Sequence, residues 1–147
     1  MSNKWDARFM ELARVIASWS KDPGTACGAI VVKDRRILST GYNGLPAGIE
    51  DRAERLEDRD QKLLITLHAE DNAILNAVSP VRGATIYVWP MPPCAHCAAR
   101  IIQVGIVRVV APSPPREQAE RWHQSLMLSS EVLQEAGVSL ETVQTCP

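Results

Sequence analysis

The first third of the chain changes from a helical to a strand-like spacing of apolar residues. Residues 3–20 carry apolar side chains at roughly helical intervals, which predicts an amphipathic helix that "SKDPG" at 20–24 ends. The segments 25–32 and 36–42 predict two strands, and "KDRR" between them predicts a turn. The pattern therefore indicates one helix followed by an antiparallel hairpin.

Helical and strand-like segments alternate through the second half of the chain. The predicted helices cover 67–78, 94–105 and 115–136, and the predicted strands cover 84–89, 106–111 and 138–143. Such alternation favours parallel strands joined by crossover helices. We therefore expect an α/β fold, a three-layer α/β/α sandwich with a mixed five-stranded sheet, whose last strand lies at an edge.

Two polar segments separate these halves. The stretch "NGLPAG" at 43–48 is rich in turn residues and predicts a loop. Most residues of 50–62 are charged, and we interpret this segment as a solvated loop or an exposed helix. The charged segment and the predicted helix 94–105 are also candidate interface elements.

The composition is that of an ordinary globular protein. The 147 residues suit a single domain, 1–147, with 46% hydrophobic and 22% charged residues. The net charge of −1 argues against a nucleic-acid-binding protein, which is usually basic. No apolar run reaches the roughly 20 residues of a membrane helix, and the start of the chain lacks the apolar core of a secretory signal. We therefore expect a cytoplasmic protein with reduced thiols.

The stretch "PPCAHC" at 92–97 places Cys94 and Cys97 three positions apart. Such a pair can be a redox couple, half of a structural metal site or two ligands of a catalytic metal. Both cysteines lie at a predicted helix start and share one helix face, and the positive end of the helix favours the thiolate. Reduced thiols argue against disulfides and favour metal binding or catalysis.

A third ligand decides between these interpretations, because zinc bound by two thiolates needs at least one more protein ligand. The other histidines and cysteines are His68, His96, His123, Cys27 and Cys146. His68 stands out because it opens the tripeptide H-A-E, in which Glu70 does not share its helix face. An H-A-E followed by P-C-x-x-C is the signature of zinc deaminases acting on nucleobases. The sequence therefore predicts a catalytic zinc site.

Four stretches of the chain resemble the deoxycytidylate (dCMP) deaminase family, within the cytidine deaminase superfamily. They are "SKDPGTACGAIVV", "GYNGLPAG", "HAEDNAI" and "PCAHCAARIIQVGIVRVV". The similarity extends over roughly residues 8–140, and the G-Y-N-G-x-P loop favours the nucleotide branch of the superfamily. The resemblance implies a cytidine deaminase-like fold and the zinc-dependent hydrolysis of dCMP to dUMP and ammonia.

The resemblance also implies roles for the motif residues. Zinc bound by His68, Cys94 and Cys97 would lower the pKa of a bound water. Glu70 would carry the proton of that water to ring nitrogen 3 and then help to protonate the leaving amine.

The resemblance and the helix position suggest two contacts to the substrate. The family resemblance implies that Asn43 hydrogen-bonds the sugar. The backbone N–H of Ala69, at a predicted helix start, is a candidate donor to the substrate carbonyl. Relatives in this family are homo-oligomers, so a dimer or hexamer is expected, and dCTP and dTTP are candidate allosteric effectors.

The chain departs from the family pattern where base and phosphate would be recognised. The segment "VWPMPPC" at 88–94 is proline-rich and one residue longer, which brings Trp89 and Met91 to the predicted pocket edge. The stretch "KLLITLHAE" at 62–70 lacks the aromatic residue that relatives often carry before the histidine, so a possible aromatic wall is lost. The candidate phosphate donors near the predicted site loops are Lys21, Arg52, Arg55 and Arg59.

Two further functions are compatible with the sequence. The altered segment 88–92 allows the same chemistry on a modified cytosine nucleotide, a nucleoside or another aminated heterocycle. A non-catalytic zinc-binding nucleotide sensor is the alternative from a different class, although such a protein has no use for Glu70. A polynucleotide substrate is disfavoured because the chain lacks a basic balance and a stacking platform.

Overall fold

The computed structural model describes residues 4–144, which form seven helices and five strands. The helices are α1 Lys4–Ala17, α2 Ala53–Glu57, α3 Arg59–Ile65, α4 Ala69–Leu75, α5 Ala95–Gln103, α6 Arg116–Arg121 and α7 His123–Glu135. The strands are β1 Gly28–Lys33, β2 Arg36–Tyr42, β3 Thr85–Trp89, β4 Arg108–Pro112 and β5 Ser139–Val143. Cys146 lies outside the described residues.

All five strands belong to one mixed sheet in the order β2-β1-β3-β4-β5. Strand β1 pairs antiparallel with both β2 and β3, whereas β3, β4 and β5 are parallel to one another. The predicted hairpin and the predicted parallel strands are therefore confirmed. Strand β5 lies at one edge of the sheet, as predicted.

Helices cover both faces of the sheet and give the predicted three-layer α/β/α sandwich. On one face, Phe9 and Met10 of α1 pack against Ile30 and Tyr87 of the sheet. On the other face, α4, α5 and α7 enclose a larger cluster of buried residues. That cluster includes Val31, Ala73, Ile86, Ile101, Val109 and Leu133.

Three predicted helices are shorter or interrupted. The first ends at Ala17, where the Ser18 hydroxyl binds the Val15 carbonyl at 2.5 Å and competes with further helical bonding. The second begins at Ala69 and ends at Leu75. The helix predicted over 115–136 breaks at Trp122, whose backbone angles, φ −106° and ψ 17°, leave the helical region.

The charged segment 50–62 contributes two short helices, α2 and α3, neither of which has a buried residue. The prediction of an exposed helix in this segment is therefore confirmed. None of the helices between residues 4 and 144 is long and apolar enough to cross a membrane.

An ion pair below α1 holds that helix on the sheet. The Asp6 side chain is 1% exposed and accepts hydrogen bonds from the Tyr87 hydroxyl at 2.7 Å and from Arg108 Nη2 at 2.7 Å. Because Tyr87 lies on β3 and Arg108 on β4, one carboxylate ties α1 to two strands. The bonds to Asp6 compensate for the cost of burying its charge.

The close approach of α4 to β2 depends on Gly41. A Cβ atom at this position would collide with backbone atoms of Ala69 and Ala73, which cannot yield as a flexible side chain can. We therefore expect Gly41→Ala to lower the free energy of unfolding by about 2 kcal/mol or more, as measured by urea denaturation.

Gly44→Ala is the matched control, because a Cβ atom on Gly44 meets no atom of the described residues within 4 Å. Its unfolding free energy should stay within about 1 kcal/mol of that of the wild type. Equal stability of the Gly41 and Gly44 variants would contradict the packing role assigned to Gly41.

Candidate active site

Loops from several elements converge at one end of the sheet. In the strand register, Gly28 lies opposite both Tyr42 and Trp89, so the start of β1 adjoins the ends of β2 and β3. After β2, the backbone of Gly44 pairs with that of Leu67, next to His68. These segments surround a cavity of about 420 Å³, a size typical of small-molecule sites.

The structure brings the three predicted metal ligands together. His68 precedes α4 and Cys94 precedes α5, so both stand at helix starts. His68 Nδ1 lies 3.5 Å from Cys94 Sγ and 3.3 Å from Cys97 Sγ, and the three ligand atoms lie within 4.8 Å of one another. Ligands at normal zinc distances and tetrahedral angles would place nitrogen and sulfur about 3.5 Å apart. The side chains therefore fit a zinc ion.

Hydrogen bonding already favours one thiolate in this cluster. The bond between the two sulfur atoms lowers the pKa of Cys94 to about 4, and that bond with burial raises the pKa of Cys97. The bond to Cys94 raises the pKa of His68 to about 9. A negative sulfur beside a nitrogen ligand is the donor set that zinc prefers.

Glu70 lies in the first turn of α4 and lines the same cavity. Glu70 is 5% exposed, and burial raises the pKa of its carboxyl group to about 7, with a further contribution from the negative charge of Cys94. A carboxyl group with this pKa can both accept and donate a proton near neutral pH. The geometry therefore places an acid–base group beside the metal-ligand cluster.

The two predicted substrate-binding residues also line the cavity. Asn43 is 7% exposed, and its side chain accepts a hydrogen bond from Cys27 N and donates one to Thr25 O, both at 2.8 Å. These bonds shape the loop before β1, which explains why the first strand begins at Gly28 rather than at residue 25. Ala69 is the first residue of α4, where a helical N–H has no partner within the helix.

Contacts outside the ligand cluster fix the starts of α4 and α5. One carboxylate oxygen of Asp71 accepts the His68 N–H at 3.4 Å, and the other lies 3.2 Å from Arg100 Nη1. The hydroxyl of Ser125 accepts the Ala95 N–H at 2.9 Å. Sequence reasoning missed Arg100 and Ser125, because both act through contacts between distant parts of the chain.

Only Arg59 of the four candidate phosphate donors lines the cavity. Lys21 pairs with Asp51 at 2.9 Å and Arg52 with Glu50 at 2.7 Å, both on the surface. The guanidinium of Arg55 donates to the Glu50 carbonyl. These three side chains are therefore occupied elsewhere.

Two cavity cations were not predicted from the sequence. Lys62 lies 3.0 Å from Asp22, and both side chains are largely buried. Arg121 lies at the end of α6, and its charge is paired at 3.5 Å with the exposed Glu117. With Arg59, they give the cavity three cationic side chains.

The proline-rich segment lines the cavity in part. Met91 and Pro92 are lining residues, as the longer segment predicted for Met91. Trp89 instead packs against the cluster below α1, with the Arg14 guanidinium 5.6 Å from its ring centre. An aromatic side chain does line the cavity, but it is Trp122, which the sequence did not indicate.

The remaining histidines and Cys27 lie outside the ligand cluster. His96 and His123 are exposed. Cys27 was expected inside a strand but precedes β1 and lines the cavity, and burial raises the pKa of its thiol to about 12. It is therefore a neutral thiol near the site.

Sequence comparison identifies the family. Residues 3–113 match the model of the cytidine and deoxycytidylate deaminase zinc-binding region, and the chain belongs to this family. An uncharacterised deaminase from the luxG 3' region of Aliivibrio fischeri is 43% identical over 140 residues, which are 95% of this chain and 94% of that protein. Human deoxycytidylate deaminase is 40% identical over 114 residues, 73% of this chain and 64% of that protein.

Solved structures agree with this assignment. The dCMP deaminase of the cyanophage S-TIM5, determined in complex with dCMP and dUMP, has a TM-score of 0.76 and 25% identity. The alignment covers 97% of this chain and 99% of the phage protein. The chain is thus a hydrolytic deaminase of a zinc-dependent family, and its fold is that of the cytidine deaminases.

Proposed function

We propose that the chain converts dCMP to dUMP and ammonia with a zinc ion held by His68, Cys94 and Cys97. The observation that carries this proposal is the convergence of these three side chains at the edge of a nucleotide-sized cavity, which His68, Cys94 and Glu70 line. The cyanophage relative with bound dCMP and dUMP supports the choice of substrate.

Glu70 performs the proton transfers in this scheme. When bound, zinc supplies an activated water by lowering the pKa of that water towards neutrality. Glu70 accepts a proton from the water and delivers it to ring nitrogen 3, while the water oxygen adds to carbon 4. Glu70 then takes the proton of the hydroxyl group on carbon 4 and passes it to the amine. The carbon–nitrogen bond breaks, ammonia leaves, and the carbon–oxygen bond becomes the uracil carbonyl.

Asn43 and Ala69 orient the substrate. We propose that the Ala69 N–H donates to the carbonyl of the pyrimidine, since a first-turn amide points out of the helix end. Asn43 contacts the sugar through its side-chain amide. An amide has two N–H donors and two acceptor lone pairs, and the two bonds to the loop use one donor and one lone pair, so one of each is free for the sugar.

The phosphate is bound at the cationic part of the cavity lining. Arg59 and Arg121 are the exposed cations of this lining, whereas the side chain of Lys62 is only 15% exposed and is paired with Asp22. Arginine suits this role because its planar guanidinium binds phosphate through paired hydrogen bonds.

The experiment compares kcat/KM for dCMP and deoxycytidine. We expect dCMP to be preferred by at least about 100-fold, because the two arginine contacts, at roughly 1.5–3 kcal/mol each, together contribute roughly 3 kcal/mol or more. Arg59→Gln or Arg121→Gln should lower kcat/KM for dCMP about 10-fold or more and leave kcat/KM for deoxycytidine unchanged. Arg116→Gln is the control, since its side chain is 94% exposed on the same helix as Arg121.

Equal use of dCMP and deoxycytidine, or no effect of either arginine variant, would contradict the phosphate site. Met91 and Pro92 line the cavity and favour an alternative substrate, a modified cytosine nucleotide. Measuring kcat/KM for 5-methyl-dCMP in the same experiment tests this alternative. Zinc binding with dUMP affinity but no turnover of any aminated substrate would identify the nucleotide sensor instead.

Three further properties stay predictions. The first two rest on the family resemblance and are assembly into a homo-oligomer, a dimer or hexamer, and regulation by dCTP and dTTP. The third, a cytoplasmic location, rests instead on the sequence pattern described above. Sedimentation of the zinc-loaded protein with and without each triphosphate tests the first two together.

A further inference from the structure

The wall of the cavity includes a part of the chain that the family match does not cover. The match ends at residue 113, whereas Arg121 and Trp122 line the cavity. Trp122 is the residue at which α6 ends and α7 begins, and its side chain is half-buried. The break in the predicted helix therefore brings an aromatic ring to the site.

Trp122 is the only Trp, Tyr or Phe side chain among the described residues that line this cavity. The stretch before His68 supplies Lys62, Leu63 and Thr66 to the lining and no aromatic side chain. The aromatic surface missing from that wall is present on another one.

Two contacts hold the helices on either side of Trp122. On α6, Gln118 Nε2 lies 3.4 Å from the Thr25 hydroxyl, and Thr25 lines the cavity. On α7, the Ser125 hydroxyl accepts the N–H of Ala95, the residue that follows Cys94. These contacts tie the helices on both sides of Trp122 to the loop before β1 and to the start of α5.

We propose that Trp122 is the stacking surface for the pyrimidine ring and a specificity-determining residue of this enzyme. This inference rests on the proposed function, since it requires a nucleobase in the cavity. Indole presents a flat, polarisable face that binds a base by stacking, whereas Val88, Met91 and Pro92 offer only aliphatic contacts. Stacking requires no particular hydrogen-bond pattern, so it complements the Ala69 and Asn43 contacts.

The test measures dUMP binding by tryptophan fluorescence and by calorimetry in the zinc-loaded protein. The chain has four tryptophans, and a base stacked on Trp122 should quench the emission of that one. Trp122→Phe should bind dUMP within about threefold of the wild-type affinity but lose the quenching. Trp122→Ala should bind dUMP about 10-fold more weakly, the loss that removal of one stacked ring produces.

Trp19→Phe is the matched control, because Trp19 is 57% exposed and packs edge-on against Tyr42 rather than lining the cavity. It should retain both the affinity and the quenching. Quenching that persists in Trp122→Phe, or wild-type affinity in Trp122→Ala, would overturn the inference. The phenylalanine variant keeps the test decisive if the alanine variant fails to fold.

The same data separate this inference from the proposed function. A wild-type protein that turns over dCMP and binds dUMP, with unaffected Trp122 variants, would overturn the stacking role alone. A wild-type protein that neither binds dUMP nor deaminates dCMP would overturn the proposed function and the stacking role with it.

Discussion

Glu70→Gln should retain the fold and bound zinc but reduce dCMP turnover by about 10³-fold, within the range usual for loss of a general acid–base group. Glutamine keeps the shape of the side chain but cannot take a proton from water. The substitution should not destabilise the protein, because burial already disfavours the charged carboxylate and raises its pKa. Steady-state kinetics with metal analysis of the same samples checks both expectations.

Glu120→Gln serves as the control for this variant. Its carboxylate is 72% exposed on α6 and does not line the cavity, so turnover should be unchanged. Full activity of Glu70→Gln would contradict the role of Glu70 in proton transfer. Loss of zinc from Glu70→Gln would instead mean that Glu70 supports the metal.

Cys97→Ala should bind zinc at least 100-fold more weakly and lose turnover. Loss of a residue that only hydrogen-bonds a metal ligand typically lowers metal affinity about 10–100-fold. Cys97 is itself one of the three predicted ligands, so its loss should cost at least as much. Its side chain is fully buried at the start of α5, so no solvent-exposed group can take its place. Competition with a chromogenic chelator measures the affinity.

Cys27→Ala is the matched control, because Cys27 lines the cavity but lies outside the three-residue cluster. It should bind zinc with the wild-type affinity. Tight zinc binding by Cys97→Ala, or weak binding by Cys27→Ala, would require a different ligand set. Chelation of the wild-type protein should abolish turnover, and added zinc should restore it.

The candidate metal cluster could be predicted from the sequence because its members stand at helix starts. His68 and Cys94 each stand within the first two positions of a helix that the apolar pattern predicts, and each directly precedes the helix in the structure. The turn between β1 and β2 could also be predicted from the local sequence. Asp34 and Arg35 have positive φ there, as a tight hairpin requires. Short-range signals were sufficient for these features.

The cavity walls depend on contacts that no local pattern encodes. Lys62 and Asp22 are 40 positions apart, and Ser125 and Ala95 are 30 apart. The break at Trp122 occurs inside the predicted helix 115–136, which contains no proline or glycine after its first residue, Pro115. Substrate recognition was therefore the part of the site that sequence reasoning left open.

The most direct test is product analysis with zinc-loaded protein and dCMP. The proposed function predicts that ammonia and dUMP form in equal amounts and that both form about 10³-fold more slowly with Glu70→Gln. Zinc-loaded wild-type protein that leaves dCMP unchanged would contradict dCMP deamination as the function of this chain.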